Sequence, residues 1–440
     1  MADDHLLSPE RYRLALLTCF HIIICCLSLV YATDRDYGPP VDAPTYHLFY
    51  DPARLHIAAV VVAAYSLVSL LFAFGRFSFG YFAGFYFYTM VLGYLWLNVF
   101  TDLTYDHRLS GLSAALSAVA FLLPALFISS PLRQAYVLSA RAFDRLLTFI
   151  LLLAAATIVA GAAYNFRLVT FGNIYFYRNN LEVPTILNYL VSIVGSALLP
   201  FAFAGLVLCK AWWRAAAVLL LSLLFYPVTL SKLAFFAPFW LLAIALLSKL
   251  FESRIAAILS LLGPILLGLI FLVLFKAEAI LYFSTVNIRI LAIPSMAMDV
   301  YNDFFSRHQL TYFCQVSFLK PLIGCPYQDQ LSVVMSNAYG LGNFNASLFA
   351  TEGIASVGPY FAPVSALACG LIIALGNRVS AGLPARFILI SGAILPQVLL
   401  NVALTTVLLT HGMAILFLLW YITPRSLFEP EKKALSGAGN

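Results

Sequence analysis

The sequence predicts an all-α polytopic membrane protein of about twelve transmembrane helices with one large outer-loop subdomain, and three observations predict it. Of the 440 residues, 62% are hydrophobic and only 10% are charged, whereas a soluble domain carries about 25% charged residues. Apolar runs long enough to cross roughly 30 Å of hydrocarbon recur along the chain. The Lys and Arg residues fall unevenly on alternate loops, as the positive-inside rule demands. The formal charge of +6 is spread among loops with no basic tract, which excludes nucleic acid as a partner.

The first apolar run, entered by Arg11 and Arg13 and continuing to about Tyr31, is long for a signal peptide. Its "SLVYATD" ending is a poor small-residue cleavage site, so it reads as a retained helix. Helices are then expected near 12–32, 55–75, 79–100, 112–129, 146–164, 188–209, 215–230, 233–248, 255–275, 361–376, 387–402 and 404–421. The seventh and eighth, and the eleventh and twelfth, are short enough to form re-entrant hairpins. With the N-terminus inside, the inner segments hold fifteen Lys and Arg residues, from Arg11 to Lys433. The short outer loops hold Arg35, Arg54, Arg108, Arg167, Arg178 and Lys232. Both termini are therefore expected inside, and 276–360 outside. The chain divides into 1–275, N-terminal membrane helices; 276–360, the outer loop; and 361–440, C-terminal membrane helices and an inner tail. The outer segment is rich in Tyr, Phe, Asn and Gln rather than Ser and Gly, a composition for order.

The seven cysteines form no framework: Cys19, Cys25, Cys26, Cys209 and Cys369 lie in apolar runs, where buried thiols are the default. Cys314 and Cys325 fall in the outer segment, where an oxidising compartment permits a bridge. No Cys/His cluster has zinc spacing, so neither a metal nor a cofactor is expected.

Three stretches carry polar chemistry, each with a plainer rival. In "TFGNIYFYRNN", 170–180, Arg178 ends an aromatic run: a snorkelling interfacial arginine, or a cation aimed into a cavity. In "FYPVTLSKLAFF", 225–236, Lys232 stands between two short apolar segments beside Pro227, where an ionisable residue snorkels or faces a polar cavity. "NIRILAIPSMAMDVYNDFFSRHQLTYF", 287–313, holds Arg289, Asp299, Asp303, Arg307 and His308. Read as a helix over about 297–307, it puts Asp299 and Asp303 on one face, with Arg307 next. The plain reading is a solvated helix stabilised by Asp303–Arg307. Finally "GNFNASLFATEGIASVGPY", 342–360, supplies Asn343, Asn345 and Glu352, with Gly353 and Gly358 for close backbone approach. Amides that donate and accept suit sugar hydroxyls.

The order of "YFYRNN", "LSKLAFF", "NIRILAIP" and "GNFNASLFATEGIASVG" over about 165–421 resembles the bacterial O-antigen polymerase-like family, the oligosaccharide repeat-unit polymerases. The chain departs from that pattern at "TEGIASVGP", where many members carry an Asn-Phe-Gly type of sequence, which leaves the role of Glu352 open. The resemblance implies a metal-independent GT-C type glycosyltransferase in the bacterial inner membrane, with its active site facing the periplasm. It would join repeat units carried on undecaprenyl diphosphate, as donor and acceptor, for O-antigen, capsule or exopolysaccharide assembly, with the bilayer and a chain-length regulator protein as partners. On that reading His308, Glu352 and Arg289 are catalytic, with His308 or Glu352 as the base. Arg178, Lys232, Arg307, Asn343 and Asn345 bind substrate, because a diphosphate leaving group needs fixed cations. Alternatives are a GT-C enzyme using a polyprenyl monophosphate sugar, for which Asp34-Arg35-Asp36 is the motive, or an O-antigen ligase or protein-directed transferase. From another class, a lipid-linked glycan flippase or transporter is the rival, although no internal repeat supports it.

Overall fold

A computed structural model describes residues 9–33, 47–170, 174–178, 183–316, 319–341 and 344–428. Among them the chain is helical throughout, with one isolated bridge between Leu48 and Thr101. The longer helices are α1 (Pro9–Thr33), α2 (Pro52–Phe74), α3 (Phe79–Leu97), α4 (His107–Phe127), α5 (Ala140–Ala162), α6 (Thr185–Leu208), α7 (Trp212–Thr229), α8 (Lys232–Leu250), α9 (Ser253–Phe275) and α10 (Ile280–Arg307). The shorter α11 (Leu331–Tyr339) precedes α12 (Phe349–Ser380), and α13 (Ala385–Ser391), α14 (Leu395–Leu399), α15 (Leu404–Thr410) and α16 (Met413–Ile422) complete the chain. Ten of these helices are long and apolar enough to cross a membrane, or eleven if α15 and α16, bent by 62°, form one span. This is the architecture of a polytopic helical membrane protein.

Short polar residues in the loops start the helices. Asp51, Ser78, Asp106 and Ser139 each accept a backbone N–H of the first turn at 2.9–3.2 Å, which satisfies a donor that the helix itself leaves open. Four tyrosines and three glycines lower the hydropathy of α3, and it is not among the ten, yet every one of its nineteen residues is buried. A helix that is apolar on all sides belongs in an interior.

The contacts divide the chain into two compact units. Unit 1 comprises 1–128, 257–374 and 397–404, and α3 is its centre. Tyr86, midway along α3, bonds Ser260 on α9 at 3.1 Å and joins the two helices. A Cβ on Gly93 would meet Ser295 Oγ at 2.5 Å, so glycine is what lets α10 approach α3 this closely. Unit 2 comprises 129–256, 375–396 and 405–440. Within it Asn165 Nδ2 donates to Pro227 O (2.8 Å) and Val228 O (3.1 Å), taking up carbonyls at the end of α7, and Trp420 Nε1 donates to Ser391 Oγ at 2.9 Å.

Two expectations need correction. The segment 276–360, expected as one outer loop, contains α10, a helix twenty-eight residues long and apolar enough to span a bilayer. Its charged residues read as solvated in sequence, but the fold buries Asp299 and Asp303. Tyr282, near the start of α10, packs on Phe271 of α9, and Arg307 ends α10 beside the loop that follows α3. The second correction concerns 387–402, expected as one span, which is two short helices, α13 and α14.

Candidate functional site

Among the described residues, the buried charged side chains are three carboxylates of unit 1: Asp299 (2% exposed), Asp303 (2%) and Glu352 (5%). Burying a carboxylate without partners is strongly unfavourable, so the partners define the site. Asp303, in the last turns of α10, accepts from the Thr104 N–H at 3.1 Å, from the Tyr339 hydroxyl at 2.6 Å and from Arg307 one turn later. The i,i+4 pair expected from sequence is therefore present, but its acid end is enclosed rather than solvated. Arg307 remains 55% exposed, so guanidinium donors stay open to the exterior. Burial, and then the bond it donates to Asp303, push the Tyr339 phenol up from its ordinary range, which keeps it a donor.

Asp299 lies one turn deeper and takes the Tyr105 hydroxyl on Oδ1. That hydroxyl also stands 2.9 Å from Asn98 Oδ1 and 3.3 Å from Tyr94 Oη. Asn302 Nδ2 donates to Tyr94 Oη at 3.2 Å, so the Tyr94 proton is directed at Tyr105, completing a chain of hydroxyls that ends on Asp299. Asp299 Oδ2 is enclosed with no hydrogen-bond partner, although the Thr101 side chain lies near the carboxyl. His107 holds the outer edge: Nδ1 is 2.7 Å from Asn98 Oδ1, Nε2 is 3.0 Å from Leu103 O, and the ring lies 4.3 Å from that of Tyr105.

His308 caps the C-terminus of α10 and is exposed. Its Nδ1 is 2.8 Å from Phe304 O, and its ring stacks on Phe304 at 3.9 Å with a 7° tilt. A carbonyl only accepts, so Nδ1 carries a proton and Nε2 takes no part in that bond. The Cys314–Cys325 disulfide forms, and it folds the following segment back onto this end. There Tyr327 donates to Gln309 O at 2.6 Å, and its ring packs 6.1 Å from Phe304 and 5.9 Å from Phe305.

Glu352 takes a different position from the one its loop-like sequence implied. It sits in a π-helical stretch, Phe349–Ala355, that opens α12, with its Oε2 2.6 Å from the Thr351 hydroxyl. Tyr301 and Cys369 are near enough to feel its charge. Backbone bonds from Thr311 to Ala355 (2.8 Å) and from Tyr312 to Ser356 (3.1 Å) bring its segment beside the one that follows His308. Glu352 is nevertheless enclosed while His308 faces out.

The remaining candidates are not gathered with these. Arg289 is exposed on the π-helical part of α10, Ser284–Ala292, eighteen positions before Arg307. That is roughly 25 Å along the helix axis, so one diphosphate cannot span both. Asn345 is exposed ahead of α12. Lys232 opens α8 in unit 2, half-buried. Arg178 ends a short helix, Ile174–Arg178, and its side chain lies outside what is described, as do Asn343 and Asp34-Arg35-Asp36. The described residues contain no group of three or more His, Cys, Asp or Glu side chains able to hold a metal ion.

Sequence reasoning passed over Tyr94, Asn98, Tyr105, His107 and Tyr339. The available signal was "TDLTYDH", 101–107, a dense polar run between two apolar helices. The chain matches no family model, no curated protein and no solved structure.

Proposed function

We propose that the protein is an integral membrane glycosyltransferase that joins oligosaccharide units carried on undecaprenyl diphosphate at the outer face of a bacterial inner membrane. In this reading His308 is the base and Arg307 the phosphate-binding cation. One observation carries it: the His308 ring is exposed at the end of α10, held by the Phe304 carbonyl and the Phe304 ring, and directly follows a half-exposed arginine. The acceptor hydroxyl oxygen attacks the anomeric carbon and its proton passes to Nε2. The bond from that carbon to the diphosphate oxygen breaks, and the electron pair leaves with the diphosphate. Arg307 is anchored by Asp303 and turns its remaining donors to the phosphate oxygens. Enclosure argues against Glu352 as the base, and distance removes Arg289 from this centre. Exposed Asn345 is proposed to contact the glycan.

The test is chain extension by the purified protein in detergent, given a lipid-linked repeat unit and no gradient. His308→Gln is expected to lower kcat by about a hundredfold or more while donor binding persists. A near-normal rate in that variant overturns the assignment. The enclosed Asp299, with an unpartnered oxygen at the end of a hydroxyl chain, favours a second reading as a proton-coupled carrier of lipid-linked glycans. Proteoliposomes that move the lipid-linked unit without lengthening it would decide for the carrier.

A further inference from the structure

Unit 2 carries a groove of about 360 Å³ that the proposed transfer reaction does not use. Leu132, Leu375, Val379, Phe417 and Leu418 give it apolar walls, and Arg133 and Tyr421 complete the lining. A volume above about 300 Å³ is enough for an organic ligand, and the walls are those of a slot for hydrocarbon.

What adjoins this lining is basic. Tyr421 is the hub: its hydroxyl accepts from the Ala135 N–H at 2.7 Å and donates to Arg133 O at 3.0 Å. Arg378, next to the wall residue Val379, donates from Nε to Ser130 O at 3.2 Å, and its own carbonyl accepts the Leu132 N–H at 3.2 Å. This ties α12 to the segment carrying Arg133. Arg425 lies across Gly382, where a Cβ would meet its Cδ at 2.8 Å, and donates from Nη2 to Val379 O at 3.4 Å. Its Nε–H is buried with no partner. Among the described residues no acidic side chain pairs with Arg133, Arg378 or Arg425. Three guanidinium groups without acidic partners, one with an orphan donor, thus lie on or beside the lining of an apolar slot: Arg133 lines it, Arg425 bonds the carbonyl of the lining residue Val379, and Arg378 precedes Val379 in the chain.

We infer that this groove is a binding site for an anionic phospholipid, with an acyl chain along Leu375, Val379, Phe417 and Leu418 and the phosphate at Arg133, Arg378 and Arg425. The charge complementarity selects this occupant. A zwitterionic lipid fills the slot equally well but brings its own cation to the arginines. A free phosphate satisfies the arginines but leaves the apolar walls uncovered. Guanidinium suits the phosphate because it stays charged and donates in a planar fork, and basic pockets between membrane helices are where acidic headgroups dock.

The experiment is native mass spectrometry of the delipidated full chain in detergent, titrated with phosphatidylglycerol, phosphatidylcholine or inorganic phosphate. Phosphatidylglycerol is expected to bind at least about tenfold more tightly than phosphatidylcholine, and excess inorganic phosphate is expected not to displace it. The Arg133→Ala/Arg378→Ala pair should erase the headgroup preference, and Leu375→Trp should weaken both lipids by filling the slot. Arg133→Glu, at an exposed position outside the helices, should do the same to the preference and covers the case in which the double variant fails to fold. Equal binding of the two lipids, displacement by phosphate, or an unchanged preference in Arg133→Glu would overturn the inference. So would phosphatidylglycerol binding that appears only after residues 429–440 are removed, because the groove would then belong to the tail.

Discussion

Asp303 and Tyr339 are joined by a 2.6 Å hydrogen bond across thirty-six residues of chain. That bond ties the end of α10 to α11, and the Thr104 N–H ties the same carboxylate to the loop between α3 and α4. One buried side chain thus holds three segments around the site. Asp303→Ala should lower stability by about 3–6 kcal/mol, the worth of the two hydrogen bonds to a charged acceptor at about 1.5–3 kcal/mol each. Asp303→Asn, which keeps an acceptor oxygen, should lose less. Thermal unfolding in detergent orders the two, and equal midpoints would show that the carboxylate is not what holds the segments.

The same bond sets an alkaline limit. The Tyr339 phenol is raised in the folded protein, by burial first and by Asp303 second. A raised group stabilises the fold fully below its unfolded value, about pH 10 for tyrosine, and that contribution fades as pH climbs from there towards the folded value. Stability should therefore fall above about pH 10, and Tyr339→Phe should make the fall shallower. Unfolding midpoints measured across pH 8–11, on both proteins, check the sign.

Arg307 separates the proposed chemistry from structure. Arg307→Ala should reduce kcat/KM for chain extension by about 10²- to 10³-fold, and Arg307→Lys should recover only part, since a point charge lacks the fork. Because the Asp303 it pairs with is buried, Arg307→Ala should also lower the unfolding midpoint, whereas Arg307→Lys, which keeps the charge, should lower it less. A large loss of stability with unaltered activity per folded molecule would make it a structural partner of Asp303 alone.

Gly358 breaks α12 with φ +73° and ψ 172°, a conformation that is essentially glycine-only. Gly358→Ala should destabilise by about 1–3 kcal/mol, with Gly353→Ala as the milder comparison because its Cβ would meet nothing closer than 3.4 Å. Equal expression and equal midpoints for the two would show that the break relaxes freely.

The Cys314–Cys325 disulfide closes a short loop against the face that carries His308. Replacing both cysteines by serine should lower stability by about 3 kcal/mol in the chain-entropy account, and should increase hydrogen exchange at Gln309 and Tyr327 most. Unchanged exchange there would mean that the aromatic packing holds the segment without the bridge.

The sequence by itself determined the class of protein, most of its apolar helices and the i,i+4 pairing of Asp303 with Arg307. These are local properties: hydropathy summed over about twenty residues, or two side chains one turn apart, needs no partner from elsewhere in the chain. It did not reveal that α10 is a long helix with its carboxylates inside. Whether Asp299 and Asp303 face water depends on Tyr105 and Thr104, which lie 194 and 199 residues away, and no window of sequence contains both sides of those bonds. For the same reason Glu352 read as a loop residue, while packing in unit 1 encloses it. The setting of His308, by contrast, is local, since the Phe304 carbonyl and ring that hold it lie four residues upstream. Composition limits which residues a membrane-embedded fold must bury, but only the packing of distant segments supplies the donors that let a buried charge remain there.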